Sequence, residues 1–348
     1  MDKKINVGLC AFGMSGKVFH APFFNNHPLY ELTGIVKRSE QNPIDQYPDT
    51  KIYSSIESLI NDGETDLIVV NTPVQFHFEH CKSAIEAGKS VLVEKPFVVS
   101  STEAQSLIEL ADKHKVKFTV FQNRRWDRDF IAVKDIVDKG VLGKIHEVEI
   151  RFDRFRTSAS GKKHKEDNLP GSGALYDLGA HMLDQAILLF GLPDKLFADL
   201  VKLRPDVSSD DFFELLLYYN DLRVRLISDV MVKEPGPGYV MHGDKGSFIQ
   251  QRSDVQEAVL VSGKIPQEQP WVPELESPDG LLHAMEGQDF GKVDTYSAPG
   301  NYTLFFDALA EYIQNDGPNP VEPSDAAKYI RLIELAFHSS EKGIAITL

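Results

Sequence analysis

Three residues between positions 177 and 184 carry side chains that hold or exchange protons, and their spacing groups them. At about 100° per residue, Asp177, His181 and Asp184 fall within about 60° of one another on a helix over 173–190. Leu175, Leu178, Met182, Ala186, Leu189 and Phe190 spread over the opposite side. A helix that buries one side usually shows water, Lys or Glu on the other. Two carboxylates and an imidazole on a rigid element suit general acid–base work instead. Gly179 sits beside them, where a better helix former would be cheaper by about 1 kcal/mol. Taken alone, the helix is equally compatible with a structural Asp–His pair spaced i, i+4. A further group, Lys95, stands between an apolar run and Pro96. A lysine there cannot snorkel freely, and a partly desolvated ammonium exchanges its proton closer to neutral pH. A structural Lys95–Glu94 interaction is the competing reading.

The elements that position these groups alternate regularly through the first 123 residues. Ile5 to Phe12 reads as a buried strand, followed by a turn at 13–16 and a helix from Lys17 to about Asn25. Ala11-Phe12-Gly13-Met14-Ser15-Gly16 is the dinucleotide fingerprint G-x-G-x-x-G with alanine in the first glycine position. Its middle glycine lets a pyrophosphate approach the backbone, and the last lets helix pack on strand. The free N–H groups at the helix start then hold the phosphates. The second strand, Tyr30 to Val36, ends in Lys37-Arg38-Ser39. An NAD-preferring site places Asp or Glu there for the ribose hydroxyl. Two cations and a hydroxyl suit a 2′-phosphate, so NADP is the expected cofactor, with NAD the alternative.

Strands are expected at 66–73, 90–96 and 117–122. Helices are expected from His77 to Ala87, before Gly88, and from Ser100 to about His114, with Glu103 completing a capping box. Ser54 and Glu57 suggest a box for a short helix ending at Ile60. This pattern predicts a doubly wound parallel sheet, a Rossmann domain over 1–123, with ligands at the carboxyl ends of its strands. Nucleotide contacts are then expected from Phe12, Gly13, Met14, Ser15, Gly16, Lys37, Arg38, Ser39, Thr72, Pro73, His77, Glu94 and Lys95.

Residues 124–348 read as an α+β domain with an open, mainly antiparallel sheet. A helix runs from Asn123 to about Lys139, and strands fall near 147–155, 195–203, 212–220, 222–231, 239–242 and 247–250. The stretch 263–300, rich in Pro, Gly and Glu, is expected to form long loops, and helices near 300–315 and 324–341 close the chain. Arg151, Arg154, Arg156, Lys162, Lys163 and Lys165 run against the acidic trend. They suit either a basic substrate mouth or a solvated loop.

The 348 residues exceed what one core usually serves, which favours two domains. A net charge of −15 argues against nucleic acid or an anionic membrane as main partner. No run approaches 18 apolar residues and no credible signal peptide opens the chain, so a cytoplasmic protein is expected. Cys10 and Cys81 have neither disulfide nor metal-ligand spacing, and no metal is expected.

With Glu94-Lys95-Pro96 and Asp177-Leu178-Gly179-Ala180-His181 set beside the glycine turn, the chain resembles the Gfo/Idh/MocA oxidoreductases over its whole length. The lead-in 11–22, the stretch 171–185, Gly300-Asn301-Tyr302 and Gly317-Pro318-Asn319-Pro320-Val321 resemble the branch with NADP-dependent scyllo-inositol dehydrogenases. Two departures stand out: Ala11, and His164-Lys165-Glu166 where that branch often has Trp-Arg-Glu. The resemblance implies hydride transfer between a nicotinamide cofactor and a carbinol of a cyclic polyol or sugar. His181 would be the base, Lys95 would stabilise the oxygen, Asp177 would orient or share the proton, and Asp184 would serve helix packing or support. Asn123 and Arg124 match positions near the substrate, and Arg154 is added on charge alone. An uncovered sheet face suits a homodimer or homotetramer. An NAD-dependent glycosidase of related fold and a non-catalytic nucleotide sensor are the alternatives.

Overall fold

The computed structural model describes residues 3–37, 44–161, 163–266, 271–287 and 289–348. They form two units, one over 1–123, 255–272 and 301–327, the other over 124–254, 273–300 and 328–348. In the first, β1 (Ile5–Leu9), β2 (Tyr30–Val36), β3 (Lys51–Tyr53), β4 (Leu67–Val70), β5 (Ser90–Glu94) and β6 (Phe118–Phe121) build an all-parallel sheet. Its order is β3-β2-β1-β4-β5-β6. Every residue of β4 and β6 is buried, as crossover helices on both faces require. Strand order reverses between β1 and β4, which creates a switch point at their carboxyl ends.

Helix caps show where local signals held. Ser100 Oγ accepts the Glu103 N–H at 3.2 Å, and the Glu103 carboxylate reaches back to the Val99 N–H at 3.2 Å. The helix Ile56–Ile60 is capped by Ser55, whose Oγ accepts the Ser58 N–H at 3.1 Å, and not by Ser54.

The sequence reading assigns everything after residue 123 to the second domain, but 255–272 and 301–327 belong with the first. Aromatic packing accounts for this. Phe306 stacks on Phe23 at 4.5 Å and meets Phe24 edge-on at 5.0 Å, Trp271 lies 5.9 Å from Phe23, and Phe305 lies 5.0 Å from Phe121. Tyr30 also donates its hydroxyl to the Phe306 carbonyl at 2.7 Å. Each such ring pair contributes about 0.5–1.5 kcal/mol beyond area burial, enough in sum to override chain order.

The second unit holds β7 (Ile145–Arg151), β8 (Lys195–Val201), β9 (Phe212–Tyr218), β10 (Arg223–Asp229), β11 (Tyr239–Gly243), β12 (Gly246–Gln250), β13 (Gly280–Glu286), β14 (Asp289–Thr295) and β15 (Ile346–Thr347). They form a sheet ordered β14-β13-β12-β11-β7-β10-β9-β8-β15, antiparallel throughout except between β7 and β10. The hairpin β13–β14 corrects the expectation of long loops over 263–300. Its side chains are mostly exposed, so no apolar alternation marks it, while backbone pairing on to β12 suffices to form it.

The helix over 173–190 also departs from expectation. It opens as a π turn, Leu175–Gly179, and continues as an α-helix, Ala180–Phe190. Every residue from 175 to 186 is buried except Asp177, so the division into an apolar and a polar side does not hold. The wider π turn also moves Asp177 off the α-helical angle. A Cβ on Gly179 would lie 2.6 Å from Leu175 Cδ1 and 3.4 Å from the Phe213 ring, so this glycine serves close packing on β9. Among the described residues, no helix is long and apolar enough to cross a membrane, and no cluster of His, Cys, Asp or Glu is arranged to hold a metal.

Candidate functional site

In the first unit the turn at 11–16 follows β1 at the switch point. A Cβ on Gly16 would meet the Ala11 carbonyl oxygen at 2.6 Å, so only glycine fits. A Cβ on Gly13 would meet nothing within 4 Å. Backbone left bare at a switch point, with a helix starting beside it, fits a dinucleotide phosphate. Alanine at position 11 is accommodated without left-handed backbone, since Lys115 and Asp316 are the non-glycine residues with positive φ among those described.

Asn71 holds this turn, and sequence reasoning passed over it. Its Oδ1 accepts the Ala11 N–H at 2.8 Å and its Nδ2 donates to the Ala11 carbonyl at 2.8 Å. The available signal was an amide side chain directly after the wholly apolar β4. Asn71→Ala leaves both backbone groups without this partner, a loss of about 1–2 kcal/mol. We expect a lower Tm and reduced-nicotinamide-nucleotide affinity weakened about tenfold by fluorescence titration, since 1.4 kcal/mol is a factor of ten. Unchanged affinity would show that the turn holds itself.

The other expected nucleotide residues have distinct placements. Lys17 Nζ lies 5.4 Å from the Phe12 ring centroid, Met14 is exposed and Ser15 half-buried. Lys37 directly follows β2, its N–H donated to the Tyr53 carbonyl at 3.0 Å, while Arg38 and Ser39 lie outside the described residues. Thr72 is buried, its Oγ1 3.0 Å from His80 Nδ1, and Pro73 is half-buried. His77 is buried, with Nε2 2.8 Å from the Thr72 carbonyl and Nδ1 3.0 and 3.1 Å from the Pro96 and Phe97 carbonyls. It braces the ends of β4 and β5 against each other. Burial pushes its pKa below the ordinary value, outweighing those carbonyls.

Glu94 likewise turns inward. Its Oε1 lies 2.8 Å from His20 Nε2 and its Oε2 accepts the Lys95 N–H at 3.2 Å. Burial opposes its ionisation, but the His20 hydrogen bond and the electrostatic influence of His20, Lys95 and His77 win, and its pKa is held below the ordinary carboxylate value. Lys95 itself is half-buried at the carboxyl end of β5, joined to Pro96 by a cis peptide. Asn123 is buried at the start of a single turn, Asn123–Trp126.

In the second unit, His181 is buried, and Asp177 accepts a hydrogen bond from Lys165 Nζ at 2.8 Å. The basic stretch, read from sequence as a solvated loop at least as readily as a substrate mouth, is therefore anchored at Lys165, while Lys162 lies outside the described residues. Asp184 is gripped by Arg125 through Nε at 2.8 Å and Nη2 at 2.6 Å, a buried bidentate pair. Arg124 donates to Asp127 at 3.1 Å. Its guanidinium and that of Arg154 lie 5.1 and 4.5 Å from the Phe152 ring centroid, with Arg252 also at 4.5 Å, so Phe152 gathers the expected substrate arginines.

Asp210 was also missed. Its carboxylate accepts the Leu175 N–H at 2.8 Å and its carbonyl accepts the Ala174 N–H at 2.9 Å, capping the start of the helix that carries Asp177 and His181. Gly173, at φ +97°, makes room, since a Cβ there would lie 1.9 Å from Asp210 Oδ1. A cap from 35 positions away leaves no local signal.

Residues 5–122 match the oxidoreductase family with NAD-binding Rossmann fold, and residues 134–348 match that family's C-terminal alpha/beta domain. The chain is 38% identical to the uncharacterized oxidoreductase YdgJ of Escherichia coli, with all of both chains covered. It is 32% identical to the scyllo-inositol 2-dehydrogenase (NADP(+)) IolW of Bacillus subtilis, over 99% of this chain and 96% of that one. Among solved structures, the putative oxidoreductase yvaA of Bacillus subtilis superposes with a TM-score of 0.94 at 32% identity, over 99% of this chain and 100% of that one. Both family models match, and relatives above 30% identity cover the chain from end to end, so the chain belongs to the Gfo/Idh/MocA oxidoreductase family.

Proposed function

We propose that the protein is an NADP-preferring dehydrogenase that oxidises a ring carbinol of a cyclic polyol or sugar, reversibly. One observation carries this reading: Lys95 stands at the carboxyl edge of the same parallel sheet whose switch point holds the bare glycine turn. A cation there meets the developing charge of a substrate oxygen. Gly13 to Gly16 would take the pyrophosphate on backbone N–H groups, and Lys37 with Arg38 and Ser39 the 2′-phosphate. The cofactor, when bound, supplies the hydride acceptor at C4 of its nicotinamide.

Carbinol oxidation releases a proton from oxygen. We assign its acceptance to a ring nitrogen of His181, whose residue type titrates near neutrality. Lys95 Nζ donates a hydrogen bond to the same oxygen and stabilises its charge. Asp177 orients this unit, with Lys165 holding its carboxylate. Asn123, Arg124 and Arg154 position the substrate hydroxyls. The name of IolW, with its inositol substrate and NADP(+), supports this substrate class and cofactor.

The test is nucleotide reduction followed at 340 nm across inositols, aldoses and sugar acids, with NADP and NAD. We expect turnover of at least one cyclic polyol or sugar, and kcat/KM at least about tenfold higher with NADP, about 1.4 kcal/mol of discrimination. A preference for NAD defeats the cofactor assignment. Tight NADPH binding without any turnover points to a sensor, and glycoside cleavage without net nucleotide reduction to a glycosidase.

A further inference from the structure

We propose that His20 is a positioning residue for Lys95, acting through the buried carboxylate of Glu94; this rests on the role given to Lys95 above. His20 closes the turn Gly16–His20 that begins at the last glycine of the fingerprint. It is wholly buried, its ring 4.6 Å from Phe121 and 6.3 Å from Phe24. Its Nε2 lies 2.8 Å from Glu94 Oε1, while its Nδ1 is buried without a hydrogen-bond partner. A buried N–H left unpaired is rarer and costlier than an unused acceptor, so the ring proton sits on Nε2 and is donated to Glu94. The other oxygen of that carboxylate accepts the Lys95 N–H. One carboxylate is thus fixed on one side by the nucleotide turn and on the other by the peptide of Lys95.

The charged and titratable groups around this carboxylate are His20 from the turn, His77 from the helix His77–Glu86, and Lys95 from its own strand end; all three favour its ionised form against burial. The coupling is reciprocal: an ionised Glu94 favours the ammonium form of Lys95. Without the Nε2 donor, the buried carboxylate takes up a proton more readily, and Lys95 loses the anion beside it. The arrangement makes the geometry of the nucleotide turn and the charge of Lys95 a single unit, although the two lie about 80 residues apart in sequence.

The experiment compares His20→Leu, His20→Gln and Glu94→Gln with the wild-type protein. Lys95 is followed by 13C NMR after reductive 13C-methylation, its resonance assigned with Lys95→Arg, alongside NADPH affinity and kcat/KM. In His20→Leu we expect the Lys95 titration midpoint to fall by about 0.5–1 unit, and kcat/KM by about 10–100-fold, with NADPH affinity changed less than about threefold. His20→Gln, which keeps a donor near Nε2, restores most of both. Glu94→Gln, which removes the charge and keeps an acceptor, lowers the midpoint as well and remains informative if His20→Leu does not fold. An unmoved midpoint in either His20→Leu or Glu94→Gln, or a His20→Gln variant no better than His20→Leu, overturns the proposal. The NMR readout needs no substrate, so a wild-type protein that turns over nothing sinks the dehydrogenase reading separately, whichever way the midpoint moves.

Discussion

Lys95→Met should lower kcat/KM for the proposed carbinol substrate by about 10²- to 10⁴-fold while affinity for the reduced nicotinamide nucleotide changes less than about threefold. Methionine keeps the length and apolar stem of the side chain and removes its charge, so packing at the end of β5 changes little. On the proposed mechanism, what disappears is the donor to the substrate oxygen, an interaction strengthened in the transition state, so the loss should fall on kcat more than on KM. His181→Ala should cost a similar factor. If the two act on one oxygen, the double variant should be hardly worse than the more damaged single, because a unit that is already broken has little left to lose. Fully multiplicative losses would instead describe two residues acting independently. Lys95→Met with wild-type kcat would remove Lys95 from the chemistry altogether.

The parts of this molecule that were legible in sequence are those governed by local patterns. Buried parallel strands are near-continuous apolar runs between turn residues, so β1, β2, β4, β5 and β6 and the helices between them could be placed within a few residues. The Ser100–Glu103 box is a contact between neighbours, and it formed as the spacing implied. What could not be read depends on partners remote in sequence. Asn71 reaches Ala11 across 60 positions, and Asp210 reaches Leu175 across 35. Nothing near Trp271 or Phe306 announces that they join the first unit, because the rings they meet, such as Phe23, lie far away in the chain. The hairpin β13–β14 escaped for a different reason: exposed on most positions, it has no buried face to impose alternation. The helix 173–190 was found, but its polar side was inferred from an α-helical period that its π turn does not obey. Asp184, grouped by that period with His181, proves to be the partner of Arg125.

Asp210 provides the second large effect, and it is one of pH. Burial raises its pKa from 3.8 to about 6, ahead of the lowering effect of the Leu175 N–H and the further raising effect of Asp211. Asp211 is itself paired with Arg204 at 2.9 Å, and Lys165, whose carbonyl accepts the Gly173 N–H, is the nearby cation on the loop side. A raised carboxyl pKa means that the folded protein holds the proton more tightly than the unfolded chain. Below about pH 4 both states are protonated and the group is neutral in the balance. Between about pH 4 and pH 6 the unfolded chain ionises first, so stability falls as pH rises. Above about pH 6 the penalty is complete, at most about 3 kcal/mol for a shift of about two units, and less for a half-buried group that water screens. Asp210→Asn keeps an acceptor for the Leu175 N–H and cannot ionise. Relative to the wild-type protein, it should therefore gain stability as pH rises from 4 to 6 and stay about 1–2 kcal/mol ahead at pH 7. Asp210→Ala escapes the same penalty but loses the cap, which costs about 0.5–2 kcal/mol, and should be less stable than Asp210→Asn at every pH. Thermal unfolding from pH 4 to pH 8 measures both differences. A wild-type-minus-Asn difference that stays flat across that range would show that Asp210 does not titrate there. Because the cap starts the helix that carries His181, Asp210→Ala should also lower kcat while Asp210→Asn preserves it, which separates the loss of the hydrogen bond from the loss of the charge.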